Sequence, residues 1–136
     1  MSRCQVNLTF SLSHLLYTIM IKILIVHDSA LRRGEIRDLL LKSEIGECWE
    51  SNGGIETVEK YRMLKPDLVI INILDMMGVE IVKRIIAINP KVKILVLGSS
   101  GYESYVGEAI QSGATDYIIE PINAENLLST LMKLLG

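Results

Sequence analysis

The sequence predicts an α/β fold in which a parallel β-sheet lies between two layers of helices. Short apolar runs rich in β-branched residues alternate with amphipathic stretches from residue 21 onward, and the connections between them are short. Runs that are apolar at almost every position are typical of strands buried on both faces of a parallel sheet. The chain has 136 residues, of which 49% are hydrophobic and 22% charged, so one domain with a packed core is expected.

Most of the predicted strands are apolar runs, whereas the second, at residues 47–50, is a weak candidate for an edge strand. The predicted strands cover residues 21–26, 47–50, 68–71, 92–97 and 115–119. Helices are predicted between them and after the last one. Either Asp28 or Ser29 can cap the first helix, and a short loop through Gly78 is expected to lead into the third. Asn123 is expected to cap the last helix, which carries a leucine stripe.

Residues 1–19 do not share this pattern. Polar residues interrupt their apolar run, no small-x-small cleavage site follows, and Lys22 closes the run early, so neither a signal peptide nor a membrane span is predicted. We expect a poorly ordered or weakly helical extension at 1–19 and a single domain at 20–136. Met20 would open the protein directly on its first strand.

Charge and cysteine content limit the possible functions. Lys plus Arg is 14 and Asp plus Glu is 16, giving a net charge of −2, so the chain has no basic excess to hold nucleic acid. The two cysteines, Cys4 and Cys48, form no disulfide framework, which favours a reducing, cytoplasmic location. Cys48 is expected to be an inert buried thiol.

In parallel sheets of this kind, functional residues follow the carboxyl ends of the strands. Neither a dinucleotide-binding glycine pattern nor a phosphate-binding GxxxxGK[ST] loop is present. The candidate site residues are therefore the ones that follow the predicted strands: His27, Asp28, Asn72, Gly98, Ser99, Glu120 and Pro121.

Three segments resemble the receiver domain of two-component response regulators, and the resemblance extends from residue 21 to residue 136. It implies a flavodoxin-like (βα)5 three-layer sandwich with strand order 2-1-3-4-5. It also implies a signalling domain rather than an enzyme, in which one aspartate accepts a phosphoryl group from a histidine kinase while Mg²⁺ is bound. The segments are ILIVHDSALRRGEIRDLL, KPDLVIINI and KILVLGSSGYESYVGEAIQSGATDYIIEPI.

Four positions depart from the pattern of that family. The acidic pair after the first strand is His27-Asp28, and Asn72 stands where the family has its acceptor aspartate. Gly98 replaces the Thr or Ser at the end of the fourth strand, and Glu120 replaces the Lys before the proline. An amide is a far poorer nucleophile than a carboxylate, and a glutamate in the lysine position repels phosphate.

These departures predict a degenerate receiver that stands alone, binds partners without phosphorylation and needs no cofactor. Asp28 is the one weak candidate for a residual Mg²⁺ ligand, although a helix cap is the favoured role for it. One alternative is a phosphorylatable receiver that uses Asp75, and the other is a small-ligand binder in the vacated cleft. The favoured expectation for Asp75 is a solvated loop residue. His27 and Glu120 are expected to approach each other across the site.

A protein partner is expected on the face made by the fourth helix, fifth strand and fifth helix, as the resemblance implies. Tyr102 and Tyr105 lie on the fourth helix, and Tyr117 matches the aromatic position on the fifth strand that reports activation in receivers. Aromatic side chains are enriched in interface cores. A histidine kinase and a second copy of the chain are the candidate partners; nucleic acid and membrane are not expected.

Overall fold

A computed structural model describes residues 21–136, so the predicted extension at 1–19 lies outside the described residues. Five strands and five helices alternate along this part of the chain. The strands are β1 (Lys22–Val26), β2 (Glu47–Ser51), β3 (Leu68–Asn72), β4 (Lys93–Gly98) and β5 (Asp116–Ile119). The helices are α1 (Ala30–Lys42), α2 (Glu56–Leu64), α3 (Met76–Ile88), α4 (Glu103–Gln111) and α5 (Ala124–Leu135).

All five strands are parallel and lie in the order β2-β1-β3-β4-β5, which confirms the predicted topology. The register places Val26 of β1 beside Ser51 of β2 and Ile71 of β3. In the same way Asn72 lies beside Leu97 of β4. The residues that follow the strands therefore meet at one edge of the sheet.

The core has two halves, one on each face of the sheet. Alternating strand residues point to opposite faces, so Leu24 and Val26 contribute to one half while Ile23 and Ile25 contribute to the other. Helices α2, α3 and α4 cover the first half, and helices α1 and α5 cover the second. The central strands are fully buried on both faces, as their continuous apolar runs predict.

The start of α3 differs from the sequence prediction. No loop runs through Gly78, because the helix already begins at Met76 and Gly78 is buried within it. Asp75 is the N-cap of this helix: its Oδ1 atom accepts hydrogen bonds from the backbone N–H groups of Met77 and Gly78, at 3.0 and 3.3 Å. Asp75 is exposed in the bend before α3, as expected of a solvated loop residue, and it also caps that helix.

The cap of α1 is Ser29 and not Asp28. The Ser29 side chain accepts a hydrogen bond from the backbone N–H of Arg32 at 3.2 Å, and its backbone is extended as a cap requires. The favoured role of Asp28 as a cap was therefore wrong, and its carboxylate is left for the site at the strand ends. Within residues 21–136, no helix is both long and apolar enough to cross a bilayer.

Candidate functional site

The site candidates converge at the carboxyl edge of the sheet, as the sequence predicts. Residues from β1, β3, β4 and β5 form one chain of contacts there. The chain runs from Asn72 through Asp28 and His27 to Glu120 and Ser99.

His27 is at the centre of this chain and is almost completely buried, with 5% of its surface exposed. Its Nδ1 atom accepts a hydrogen bond from the backbone N–H of Ser29 at 3.1 Å. The Nε2 atom lies 3.7 Å from Oε2 of Glu120, so the predicted approach of these two residues is found. Nε2 has no hydrogen-bond partner among the described residues.

Asp28 connects β1 to β3. Its Oδ1 atom accepts a hydrogen bond from the side-chain amide of Asn72 at 3.2 Å and also lies 3.1 Å from Nδ1 of His27. The Asp28 side chain is 63% exposed, so water screens these interactions. The amide of Asn72 thus acts as a donor to the neighbouring carboxylate, a role that an aspartate carboxylate at this position could not fill.

Glu120 closes the chain on the β5 side. Its Oε1 atom accepts a hydrogen bond from the hydroxyl of Ser99 at 3.2 Å, while its Oε2 atom faces His27. The Glu120 side chain is 25% exposed, and the peptide bond to Pro121 is cis. A negative side chain thus lies at this edge of the sheet.

Gly98 is the last residue of β4, and its lack of a side chain is explained by α4. A Cβ atom built on Gly98 would lie 2.4 Å from Cγ2 of Val106 and 3.2 Å from Cδ1 of Ile119. Val106 is 4% exposed and belongs to the core, so it has little room to move away. The branched side chain of Val106 therefore fills the space that a Thr or Ser at the end of β4 would need.

Arg33 is a positioning residue that the sequence analysis missed. Its guanidinium donates hydrogen bonds to the backbone carbonyl of His27 at 2.6 Å and to Oε1 of Glu50 at 3.1 Å. It thereby holds the turn after β1 against β2. One feature of the sequence could have indicated a role for Arg33. Two arginines, Arg32 and Arg33, lie in the first turn of α1, where the helix dipole disfavours cations and no acidic residue is present.

Beside this chain of contacts lies a small cavity of about 150 Å³. Its lining includes polar groups of Asp28, Asn72 and Asp75 together with the side chain of Met77. Met77 is 49% exposed. Drug-sized ligands occupy pockets of roughly 300–1,000 Å³, so this cavity is small for an organic cofactor.

The three tyrosines lie on or beside α4 and β5, as predicted. Tyr102 and Tyr117 are 40% and 51% exposed, so Tyr117 is not packed into the edge of the sheet. The rings of Tyr102 and Tyr105 are stacked, with their centroids 6.4 Å apart. Together they place exposed aromatic surface on one side of the domain.

The fold is that of the response regulator receiver domain, whose family model matches residues 23–132. The chain belongs to this family of two-component signalling domains, which interact with proteins such as kinases. The resemblance inferred from the sequence is thereby confirmed.

Among curated proteins, the chain is similar to chemotaxis proteins of the CheY type. It is 37% identical to the chemotaxis protein CheY of Thermotoga maritima over 114 residues, which are 82% of this chain and 95% of that protein. It is also 37% identical to CheY of Bacillus subtilis over 117 residues, which are 85% of this chain and 98% of that protein.

Two solved structures illustrate the likeness in three dimensions. A CheY-like receiver domain protein from Methanospirillum hungatei has a TM-score of 0.78 at 22% identity, covering 85% of this chain and 94% of that one. The response regulator domain of Thermotoga maritima CheB has a TM-score of 0.72 at 27% identity, covering 85% of this chain and 96% of that one.

Proposed function

We propose that this receiver domain signals by binding a protein partner, without accepting a phosphoryl group. The observation that carries the proposal is the hydrogen bond from the Asn72 amide to the Asp28 carboxylate. At the end of β3, where the family has its acceptor, a neutral donor stands in place of a nucleophilic carboxylate. The other residues of the site support the same conclusion.

Two further residues oppose the trapping of a phosphoryl group. Glu120 brings negative charge to the edge of the sheet, where it would repel the incoming phosphate instead of stabilising the charge that develops in the reaction. Val106 occupies the space beside Gly98, so no hydroxyl can be carried there on β4. The nucleophile, the hydroxyl and the cation are therefore all replaced.

We also propose that the site does not hold magnesium. Mg²⁺ requires oxygen ligands in an octahedral array, usually including one or two carboxylates. Within residues 21–136, no three His, Cys, Asp or Glu side chains are grouped so as to bind a metal ion. Asp28 is engaged by Asn72 and faces the imidazole of His27, a poor ligand for magnesium. This donor set does not fit the ion.

The two alternatives have less support. Asp75, the other candidate acceptor, uses its Oδ1 atom to cap α3, so phosphorylation there would disturb the helix start. A small-ligand function in the vacated cleft meets a cavity of only about 150 Å³. Partner binding, in contrast, has exposed surface available.

The surface we assign to the partner is the face formed by α4, β5 and α5. Tyr117 and Tyr102 are exposed on it, and the Tyr102–Tyr105 stack gives it a stiff aromatic element that loses little side-chain entropy on binding. A histidine kinase and a second copy of this chain are the candidate partners.

Treatment with a small phosphodonor tests the absence of phosphotransfer. The purified chain is incubated with acetyl phosphate and magnesium, and its intact mass is measured. A receiver domain that retains the acceptor aspartate is treated in parallel to check the donor. We expect no mass gain for this chain. A gain of one phosphoryl group would refute the proposal, and its loss in Asp75→Asn would identify Asp75 as the acceptor.

Site-specific photo-crosslinking tests the assignment of the partner face. A photoreactive residue is introduced in place of Tyr117, in place of Tyr102 or, as a control, in place of Leu41, which is 52% exposed on α1. We expect adducts from the first two positions in cell extract and none from the control, with mass spectrometry distinguishing a kinase from a second copy. Equal adducts from all three positions would contradict the assignment.

A further inference from the structure

A second concave surface lies at the opposite edge of the sheet, away from the strand-end site. A cleft of about 540 Å³ opens between the loop that follows α2 and the loop that follows α3. Its floor is apolar and buried, formed by the ring of Tyr61 and by Pro66 and Val92. Ile88, which is 36% exposed, adds apolar surface at the rim.

The rim of this cleft is strongly basic. Its one carboxylate, Asp67, accepts a hydrogen bond from the backbone N–H of Lys22 at 2.8 Å and so is held at the edge of the sheet. The chain as a whole has a net charge of −2, so positive charge is concentrated here against the overall balance. Four cations line the rim, and with the floor they define the basic cleft: Arg62, Lys65, Lys91 and Lys93.

Most of this positive charge is available to a ligand. Lys65 and Lys91 are exposed and form no ion pair within residues 21–136. Arg62 is paired only with the exposed Glu59, at 3.6 Å. The ammonium group of Lys93 is the exception, because it donates a hydrogen bond to the backbone carbonyl of Leu134.

The rim is also fixed in position by its own hydrogen bonds. Asn89 accepts a bond from the backbone N–H of Lys91 at 3.0 Å and donates one to the Tyr61 hydroxyl at 3.4 Å. Lys65 has a left-handed backbone, with φ of 48°, and its N–H donates to the Tyr61 carbonyl at 2.8 Å. A binding surface held in this way loses less entropy when a ligand binds.

We propose that the basic cleft binds an acidic segment of a partner protein that carries an apolar side chain. The cations attract the carboxylates, and the exposed part of Ile88 at the rim offers apolar surface to the apolar side chain. A purely structural role for the lysines is the alternative, because the negative C-terminal ends of α2 and α3 favour a lysine after each helix. That role does not explain the concave apolar floor that the lysines surround. This inference goes beyond the proposed function and does not depend on it.

Nucleic acid fits the basic cleft less well than an acidic peptide does. Tyr61 is 2% exposed, so its ring face is not available for a base to stack on. Outside the cleft the chain has more acidic than basic residues, which would repel a long polyanion. A short acidic segment needs only the local patch.

Amide chemical shifts of the full chain test the proposal. The first ligand is a capped pentapeptide with four glutamates around a central leucine, and its all-glutamine counterpart serves as the peptide control. Tripolyphosphate and a short oligothymidine are titrated separately. We expect saturable shifts around Lys65 and Lys91 with the glutamate peptide alone, weakened by added salt.

Charge-neutralising variants complete the test. Lys65→Gln combined with Lys91→Gln should weaken peptide binding about fivefold, the effect expected from two exposed ion pairs. The matched control combines Lys42→Gln with Lys83→Gln, exposed lysines outside the cleft, and should change binding less than about twofold. The proposal would be overturned by shifts with the glutamine peptide or by equal weakening in both double variants. It would also be overturned by a response to oligothymidine or tripolyphosphate without a response to the glutamate peptide.

Discussion

The contact between Gly98 and Val106 gives the sharpest test of how the site is built. Replacing Gly98 with alanine adds one methyl group at the end of β4, 2.4 Å from Cγ2 of Val106 and 3.2 Å from Cδ1 of Ile119. The first distance is far inside van der Waals contact, and the methyl group of Val106 lies within the packed core. Gly98→Ala should therefore force side chains or backbone to shift.

The magnitude follows from two opposing effects. Overpacking a core by a methyl group costs about 1–3 kcal/mol, while replacing glycine with alanine in a strand gains roughly 0.5–1 kcal/mol. We expect a net loss of about 1–2 kcal/mol in the free energy of unfolding. Threonine at position 98 is larger than alanine and should cost more.

Urea denaturation of a double-mutant cycle measures this contact. Val106→Ala removes the methyl groups that clash, so Gly98→Ala should be much less harmful in that background, giving a coupling of about 1–2 kcal/mol. Gly107→Ala is the matched control on α4, because a Cβ atom there would meet nothing within 4 Å. It should stabilise the domain by about 0.5–1 kcal/mol. An unchanged free energy of unfolding in Gly98→Ala, or an absence of coupling between the changes at Gly98 and Val106, would refute the reasoning.

Three further predictions concern the residues around the site. Ser29→Ala should lower the free energy of unfolding in urea by about 1 kcal/mol through loss of the α1 cap, and an unchanged value would contradict that assignment. Arg33→Met should cost about 1.5–3 kcal/mol in the same assay, because its hydrogen bonds include one to the carboxylate of Glu50; a cost below about 0.5 kcal/mol would be inconsistent with its positioning role. Burial raises the pKa of the Cys48 thiol from 9.0 to about 11, so iodoacetamide at pH 8 should modify it about 100-fold more slowly in the folded chain than in urea, as followed by peptide mapping. The neutral thiol favours the folded state, so its contribution to stability is complete below pH 9 and is lost as pH rises through about 11. Similar alkylation rates in the folded chain and in urea would argue against the raised pKa.

The architecture could be predicted from the sequence because each strand carries its own pattern. Apolar runs such as Leu68–Asn72 are buried on both faces, which only a central parallel strand requires. Once the strands are known, their carboxyl ends must meet, and so Asn72, Asp28 and Glu120 were predicted to share one site. The meeting of His27 and Glu120 followed from the same topology.

The details that could not be predicted depend on local dihedral angles or on tertiary contacts. Asp28 and Ser29 are adjacent and both can cap a helix, and only the backbone conformation assigns the cap to Ser29. Gly78 suggests a loop in the sequence, yet it is buried in α3, where a Cβ atom would lie 2.7 Å from Cδ1 of Ile73. The partner that makes Gly98 necessary, Val106, lies on another element.

Titration with magnesium tests most directly whether the strand-end residues bind one another instead of a cation. Amide chemical shifts of the full chain are followed while Mg²⁺ is added in large excess. We expect no saturable shift around Asp28 and Asn72, and a saturable one when His27→Asp and Asn72→Asp together place carboxylates there. A saturable shift at those two amides in the natural chain would contradict this expectation.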